Sequence, residues 1–266
     1  MPEEAETPTS HVLEIDDSTH SHSADEVTLP LDARFLFTWQ FLAGAAAQAG
    51  LAQDIEADDI EFDDTPKIVL HRSLVLGAIM QSTAAMEAEA WDVVHHGPGH
   101  HHGAGGIDQT SLDFLSPLAG MIDKQPALSR FETILHLLGR EPLNRGEQPW
   151  QDAALLVNLR NELVHYKSTW GSESERKDFA KALRGKGFVL PSFIRENLAG
   201  GYFPLKCLNA ACATWAVGAS LGFLDGFYER LGIDSPLDSH RHLIERGSWQ
   251  QAPAQQAHQP DGQQVD

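Results

Sequence analysis

Basic residues are scarce in this chain: 19 Lys and Arg stand against 38 Asp and Glu, a formal net charge of −19. That balance excludes a protein that coats nucleic acid through bulk positive charge. Cysteine is almost absent. The two present, Cys207 and Cys212, would point about 140° apart on a helix, so they are not expected to bridge, which is compatible with a reducing cytosol. A Gly-rich phosphate loop, a nucleophile elbow and a Cys-x-x-Cys pair are all missing, which removes most common enzyme classes. Strand-like alternation is rare and no internal repeat is evident. The acidic N-terminus lacks the apolar stretch of a signal peptide, and a cytoplasmic location is expected. Uncharged runs at Phe35 to Gln53 and Cys207 to Leu224 approach membrane-spanning length. Their Ala, Gly and polar content reads instead as buried helix, so no membrane partner is expected.

What remains is helical periodicity. Residues 1–28 are polar and acidic and are expected to be a disordered tail, as are the Gln-, Pro- and Ala-rich residues 250–266. Residues 29–64 hold a first helix, Asp32 to about Ala49 closed by Gly50, and an acidic linker. Pro66 then opens a long helix to about Val94, with Val69, Leu74, Ile79, Met80, Met86 and Val93 among its apolar residues. A Gly- and His-rich loop spans 95–106. Helices follow at Ser111 to Asp123 and at Ala127 to Leu138, the latter stopped by Gly139 and Pro142. A connector from Glu141 to Pro149 leads to a helix at about Trp150 to Lys167. A short charged helix at Ser174 to Leu183 and a long one from about Pro204 to Leu231, ended by Gly232, complete the chain. These elements predict an all-α bundle of about five to seven helices, one domain over residues 65–249.

Charge is distributed unevenly over this frame. Residues 1–64 hold sixteen acids and one base, Arg34, whereas residues 160–206 hold nine bases and five acids. The basic segment reads either as a solvated helix face or as a patch that attracts phosphate. It begins at Leu159-Arg160-Asn161-Glu162-Leu163-Val164-His165. On a helical wheel Leu155, Leu156, Leu159, Leu163 and Tyr166 form a core stripe, and Asn158, Asn161 and His165 cluster opposite, with Arg160 at the flank. The polar face suits a partner surface, or the side of another helix of the same chain. Arg is a permanent, forked cation suited to phosphate, and His titrates near neutrality and suits proton transfer. At about 140° apart the two do not converge on one phosphate from one straight helix. Two crossing copies of the helix would bring them together.

The run Leu155 to Lys167, with Arg160, Asn161 and His165, resembles the Arg-x4–6-His signature of HEPN-domain proteins. Those are α-helical bundles, often dimeric, and many are metal-independent endoribonucleases in toxin–antitoxin, phage-defence and RNA-processing systems. The resemblance covers roughly residues 67 to 232, including Met86-Glu87, Leu138-Gly139-Arg140 and Trp215. It implies an HEPN-like bundle and no cofactor. Arg160 would bind the scissile phosphate, His165 would serve as general base or acid toward the ribose 2′-hydroxyl, and Asn161 would orient both. Lys167, Asn158 and Glu87 are the candidate substrate-binding residues; Glu87, on the early long helix, reads either as a partner that reaches Arg160 or His165 or as a solvated acid on an exposed turn. The implied partners are a second copy of the chain through the motif helix, an RNA and an operon-encoded regulator. One toxin subgroup carries Tyr two residues after the His; Lys167 stands there, so that subgroup's antitoxin mechanism does not transfer.

Two alternatives accompany the ribonuclease reading. The family also contains non-catalytic members that bind nucleotides or assemble with proteins, and the acidic total charge favours such a module. Separately, His95, His96, His100, His101 and His102 crowd into one loop, and imidazoles can take a transition metal, although the flanking glycines work against a preformed site.

Overall fold

The computed structural model describes residues 36–58, 64–96, 107–167, 177–188, 190–191, 193 and 202–245. The expected tails at 1–28 and 250–266 lie outside the described residues, as does most of the 95–106 loop. All described residues fall in one packed unit, which begins at Leu36, and every element in it is helical. The α-helices are α1 (Phe37–Ala57), α2 (Thr65–His96), α3 (Gln109–Leu115), α4 (Ala119–Ile122), α5 (Ala127–Leu137), α6 (Trp150–Val164), α7 (Lys177–Arg184), α8 (Ala210–Leu231) and α9 (Arg241–Glu245). Short 3-10 turns occupy Ser116–Leu118 and Asp238–His240. The all-α expectation holds. The number of helices exceeds the expected range because the Ser111 to Asp123 segment breaks at Pro117, whose ring cannot continue the α ladder, and because α9 follows α8.

Local chemistry explains most of the boundaries. Asp64 precedes α2, and its carboxylate accepts the Lys67 N–H at 3.3 Å, satisfying a donor that the first turn leaves open. Pro66, second in α2, needs no such partner. The Asn209 side chain caps α8 by accepting the Cys212 N–H at 2.8 Å. α5 and α8 end as their glycines predict: Gly139 and Gly232 adopt φ of 64° and 76°, the left-handed conformation that closes a helix. Gly50 behaves differently. It was expected to stop the first helix, yet α1 runs seven residues beyond it to Ala57. Its helical neighbours Ala46, Ala49 and Ala52 are buried, so packing carries the helix through a residue whose own preference is weak.

α1, α2 and α8 form the centre of the bundle. α1 lies in this same body and packs along α2, although the sequence grouped it with the acidic linker of residues 29–64. Gly44 of α1 and Gly77 of α2 receive Gln81 and Gln48 respectively, so each helix presents its glycine to the other's glutamine. The aromatic core sits at the other side of α8, where Phe131 meets Phe223 and Phe227 edge-on at 5.0 and 4.8 Å. Of the expected apolar residues in α2, Ile79, Met86 and Val93 are buried, whereas Val69 is 56% exposed. α2 and α8 are long and apolar enough to cross a membrane by length and composition, but 56% of the apolar window of α8 is buried inside this bundle. Cys207 and Cys212 are both buried and form no disulfide with each other, but α8 begins at Ala210, so Cys207 precedes the helix and the helical spacing does not describe the pair; burial pushes the Cys212 thiol up.

Candidate functional site

α6 carries the motif. Trp150, Ala153, Leu156 and Leu159 face the core, with Leu155 and Leu163 half-buried beside them. Tyr166 does not complete that stripe. α6 stops at Val164 rather than continuing to Lys167, so Tyr166 leaves the helical phase, stands 48% exposed and meets the edge of Phe203 at 6.0 Å. Val164 next to it is 53% exposed. Asn158, His165 and Lys167 are exposed, as a non-core face requires.

Arg160 is the organised residue of the site. One terminal nitrogen of its guanidinium donates to Asn161 Oδ1 at 2.9 Å, and the other donates to Glu87 Oε1 at 3.0 Å. The ion pair with Glu87 joins α2 to α6. Its carboxylate and guanidinium side chains are 38% and 31% exposed, so the pair orients the arginine more than it stabilises the fold. A guanidinium has five N–H donors in a rigid fork, and two suffice for these bonds, leaving the others uncommitted among the described residues.

Asn161 links the two motif residues. Its side chain holds Arg160, and its backbone carbonyl accepts the N–H of His165 at 3.0 Å. His165 occupies the cap position directly after α6, with φ −104° and ψ 22°. No hydrogen bond holds its imidazole among the described residues, and none links that ring, Asn158 or Lys167 to Arg160. Arg160 lies four residues before the end of α6 and His165 directly after it, so at helical pitch the two backbone positions are offset by about 7.5 Å along the axis and about 140° around it. One copy of α6 therefore displays a fixed cation and a free imidazole on different sides.

No family model matches this chain, and neither a curated protein nor a solved structure matches it. The site is accordingly read from its own chemistry.

The basic segment after the motif is partly consumed by packing. Lys186 pairs with Asp152 of α6, and its ammonium lies over the Trp215 ring at 5.7 Å. Arg184 lies over Tyr202 at 5.2 Å. Of the expected histidine loop, His95 and His96 instead form the last turn of α2, which runs two residues beyond the expected end at Val94. His95 Nε2 lies 2.9 Å from Asp123 Oδ2 and its ring stacks on Trp91 at 4.3 Å. His100, His101 and His102 lie outside the described residues, and among the described ones no group of three or more potential ligands forms a metal centre.

The contacts of two acids, buried Glu89 and half-buried Glu56, lay beyond sequence reasoning. Glu89, which the sequence leaves as an ordinary acid beside Glu87, is buried and accepts the Tyr228 hydroxyl. Glu56 at the end of α1 accepts the Ala210 N–H at 2.7 Å, and the same oxygen lies 2.7 Å from Nε2 of the fully buried His71. Glu56 thereby ties α1, α2 and α8 at one point. Nothing local marks the contacts of either acid, because the partners stand 139, 154 and 15 residues away.

Proposed function

We propose that this chain is a metal-independent endoribonuclease of HEPN type, acting in the cytoplasm as a homodimer whose motif helices meet, in bacterial defence, a toxin system or a stress response. The observation that carries the reading is the Glu87–Arg160–Asn161 cluster beside an unencumbered, exposed His165. Arg160 supplies an oriented, permanent positive charge for a phosphate that gains negative charge in the transition state. His165 takes the 2′-hydroxyl proton as that oxygen attacks phosphorus. Protonated imidazole can return a proton to the departing 5′-oxygen, and a 2′,3′-cyclic phosphate remains. The angular offset within one helix makes a second copy part of the reading, with Val164 and Tyr166 as apolar contacts flanking the paired motifs. Few phosphate contacts are needed if the target is one RNA loop, which accommodates the acidic total charge. An operon-encoded regulator would be a further partner.

The test is RNA cleavage in excess EDTA by the unmodified protein and by Arg160→Ala and His165→Ala. Cleavage is expected from the first alone, with cyclic phosphate ends, and light scattering is expected to give twice the 29.2 kDa chain mass. Equal activity in all three proteins, or none in any, sinks the assignment.

A second reading is a non-catalytic HEPN-like module that binds a nucleotide or a protein. It is favoured by the carboxylate already seated on Arg160 and by the ring of His165 having nothing to hold its tautomer. Under that reading Arg160→Ala abolishes nucleotide binding and His165→Ala leaves it intact. A metal-binding role for the histidine loop rests on its sequence alone.

A further inference from the structure

A cleft of roughly 480 Å³ opens between α1, α8 and α9, away from Arg160 and His165. Its floor is apolar: Ala49, Val217, Leu221 and Ile244 line it, and small residues on α1 and α8 keep the helices' side chains from filling it. Gly218 contributes to this openness directly, because a Cβ at that position would meet nothing within 4 Å. The volume falls within the several-hundred-Å³ range of small-molecule sites, and the lining matches their usual make-up of apolar walls with a few polar groups.

The charged groups at this cleft have one sign. Asp54 and Glu245 both line it, and no Lys or Arg does among the described residues. Both carboxylates are exposed at the mouth. Among the described residues the Asp54 side chain has no ion-pair partner, and Glu245 has Arg241 at 4.0 Å. Arg241 is itself committed to Asp225 at 2.7 Å and Asp238 at 2.8 Å. The neighbouring cleft beyond Gln53 and Thr214 holds Lys186, whose ammonium is taken by Asp152. Among the described residues the negative charge at the mouth is therefore only weakly compensated.

We propose that this cleft binds a small organic cation with an apolar body, the body lying on the Ala49–Leu221–Ile244 floor and the ammonium between Asp54 and Glu245. Aromatic or aliphatic amines of drug-fragment size are the ligand class. An anion of the same shape is rejected by the two carboxylates. The site is separate from the proposed RNA chemistry and stands or falls independently of it.

The experiment uses the full chain and three matched probes, phenylbutylammonium, phenylbutanol and phenylbutyrate, followed by protein-observed NMR titration. The cation is expected to bind about tenfold more tightly than the alcohol, as two half-solvated carboxylates would supply, and the acid not to bind. Gly218→Leu, which fills the cleft while improving helix propensity, is expected to abolish binding. Asp54→Asn with Glu245→Gln is expected to bring the cation's affinity down to the alcohol's while leaving the alcohol's unchanged. Failure of the cation to bind, equal affinities for all three probes, or binding unaffected by Gly218→Leu overturns the proposal. So does cation binding that appears only after the chain from Arg246 onward is removed, since the occupant would then be the chain itself.

Discussion

Glu87 and Arg160 stand 73 residues apart in the chain and meet at 3.0 Å. A carboxylate on a guanidinium does two opposing things: it fixes the fork's direction, and it competes with any phosphate the fork would bind. Replacing Glu87 by Gln keeps an oxygen that accepts from Arg160 and removes the competing charge. Under the ribonuclease reading, Glu87→Gln should raise affinity for a short RNA severalfold at fixed salt, read by fluorescence anisotropy, while shifting stability by less than about 1 kcal/mol. Weaker RNA binding by this variant would show that the carboxylate acts by positioning alone. Asn161 contributes differently, since it engages Arg160 through its side chain and His165 through its backbone, and only the first of these depends on the residue type.

At the scale of elements, the reciprocal seating of Gln48 on Gly77 and Gln81 on Gly44 sets how closely α1 and α2 approach. Ala in place of Gly77 gains about 1 kcal/mol of helix propensity but drives its Cβ into the Gln48 amide, an overpacking that costs about 1–3 kcal/mol. Gly77→Ala is therefore expected to be neutral or destabilising in the native sequence and stabilising when Gln48 is also Ala, a coupling that urea denaturation of the four proteins resolves. Strict additivity would remove this contact from the account of the fold. Such contacts also mark the limit of what the sequence discloses. Pro66, Gly139 and Gly232 announced helix ends because their effect is local: a fixed φ, a missing N–H, a left-handed backbone. Gly50 carried the same signal and was overruled, because α1 gains more from burying Ala49 and Ala52 than it loses at one glycine. The non-core position of His165 was legible from periodicity, whereas the exposure of Tyr166 was not, because the wheel assumed that α6 continues past Val164. Glu87 could be nominated for Arg160 from the sequence, but its distance had to come from the packing of α2 against α6.

At alkaline pH the whole molecule carries its sensitivity in two desolvated phenols and in the buried Cys212 thiol. Burial, and then the Glu89 carboxylate, hold the Tyr228 phenol well above its usual 10.0, and desolvation beside the Cys207 and Cys212 thiols pushes Tyr202 up to about 12. Both phenols are neutral in the folded and unfolded chain at neutral pH. Above about pH 10 the unfolded chain gives up protons that the folded chain keeps, so this contribution to stability is complete below that pH and is lost as pH rises through the folded values. Urea midpoints are expected to fall between about pH 10 and 12, and less steeply in Tyr228→Phe. That variant should also lose about 1–2 kcal/mol at pH 8 by removing a donor from buried Glu89. Identical alkaline slopes in the two proteins would move the sensitivity elsewhere.

The end of α6 at Val164 gives the molecule an adjustable joint. Residues inside a helix are locked to its pitch, and one inserted residue there would rotate every later side chain by about 100° and take Leu159 and Leu163 out of the core. His165 is already past that constraint. An insertion after Val164 lengthens a connector and leaves the leucine register intact, so the separation of arginine and histidine can drift by a residue or two without any repacking beneath it. Spacing in this motif is thus a free parameter of the chain, set by what the two groups must reach rather than by the helix that carries them.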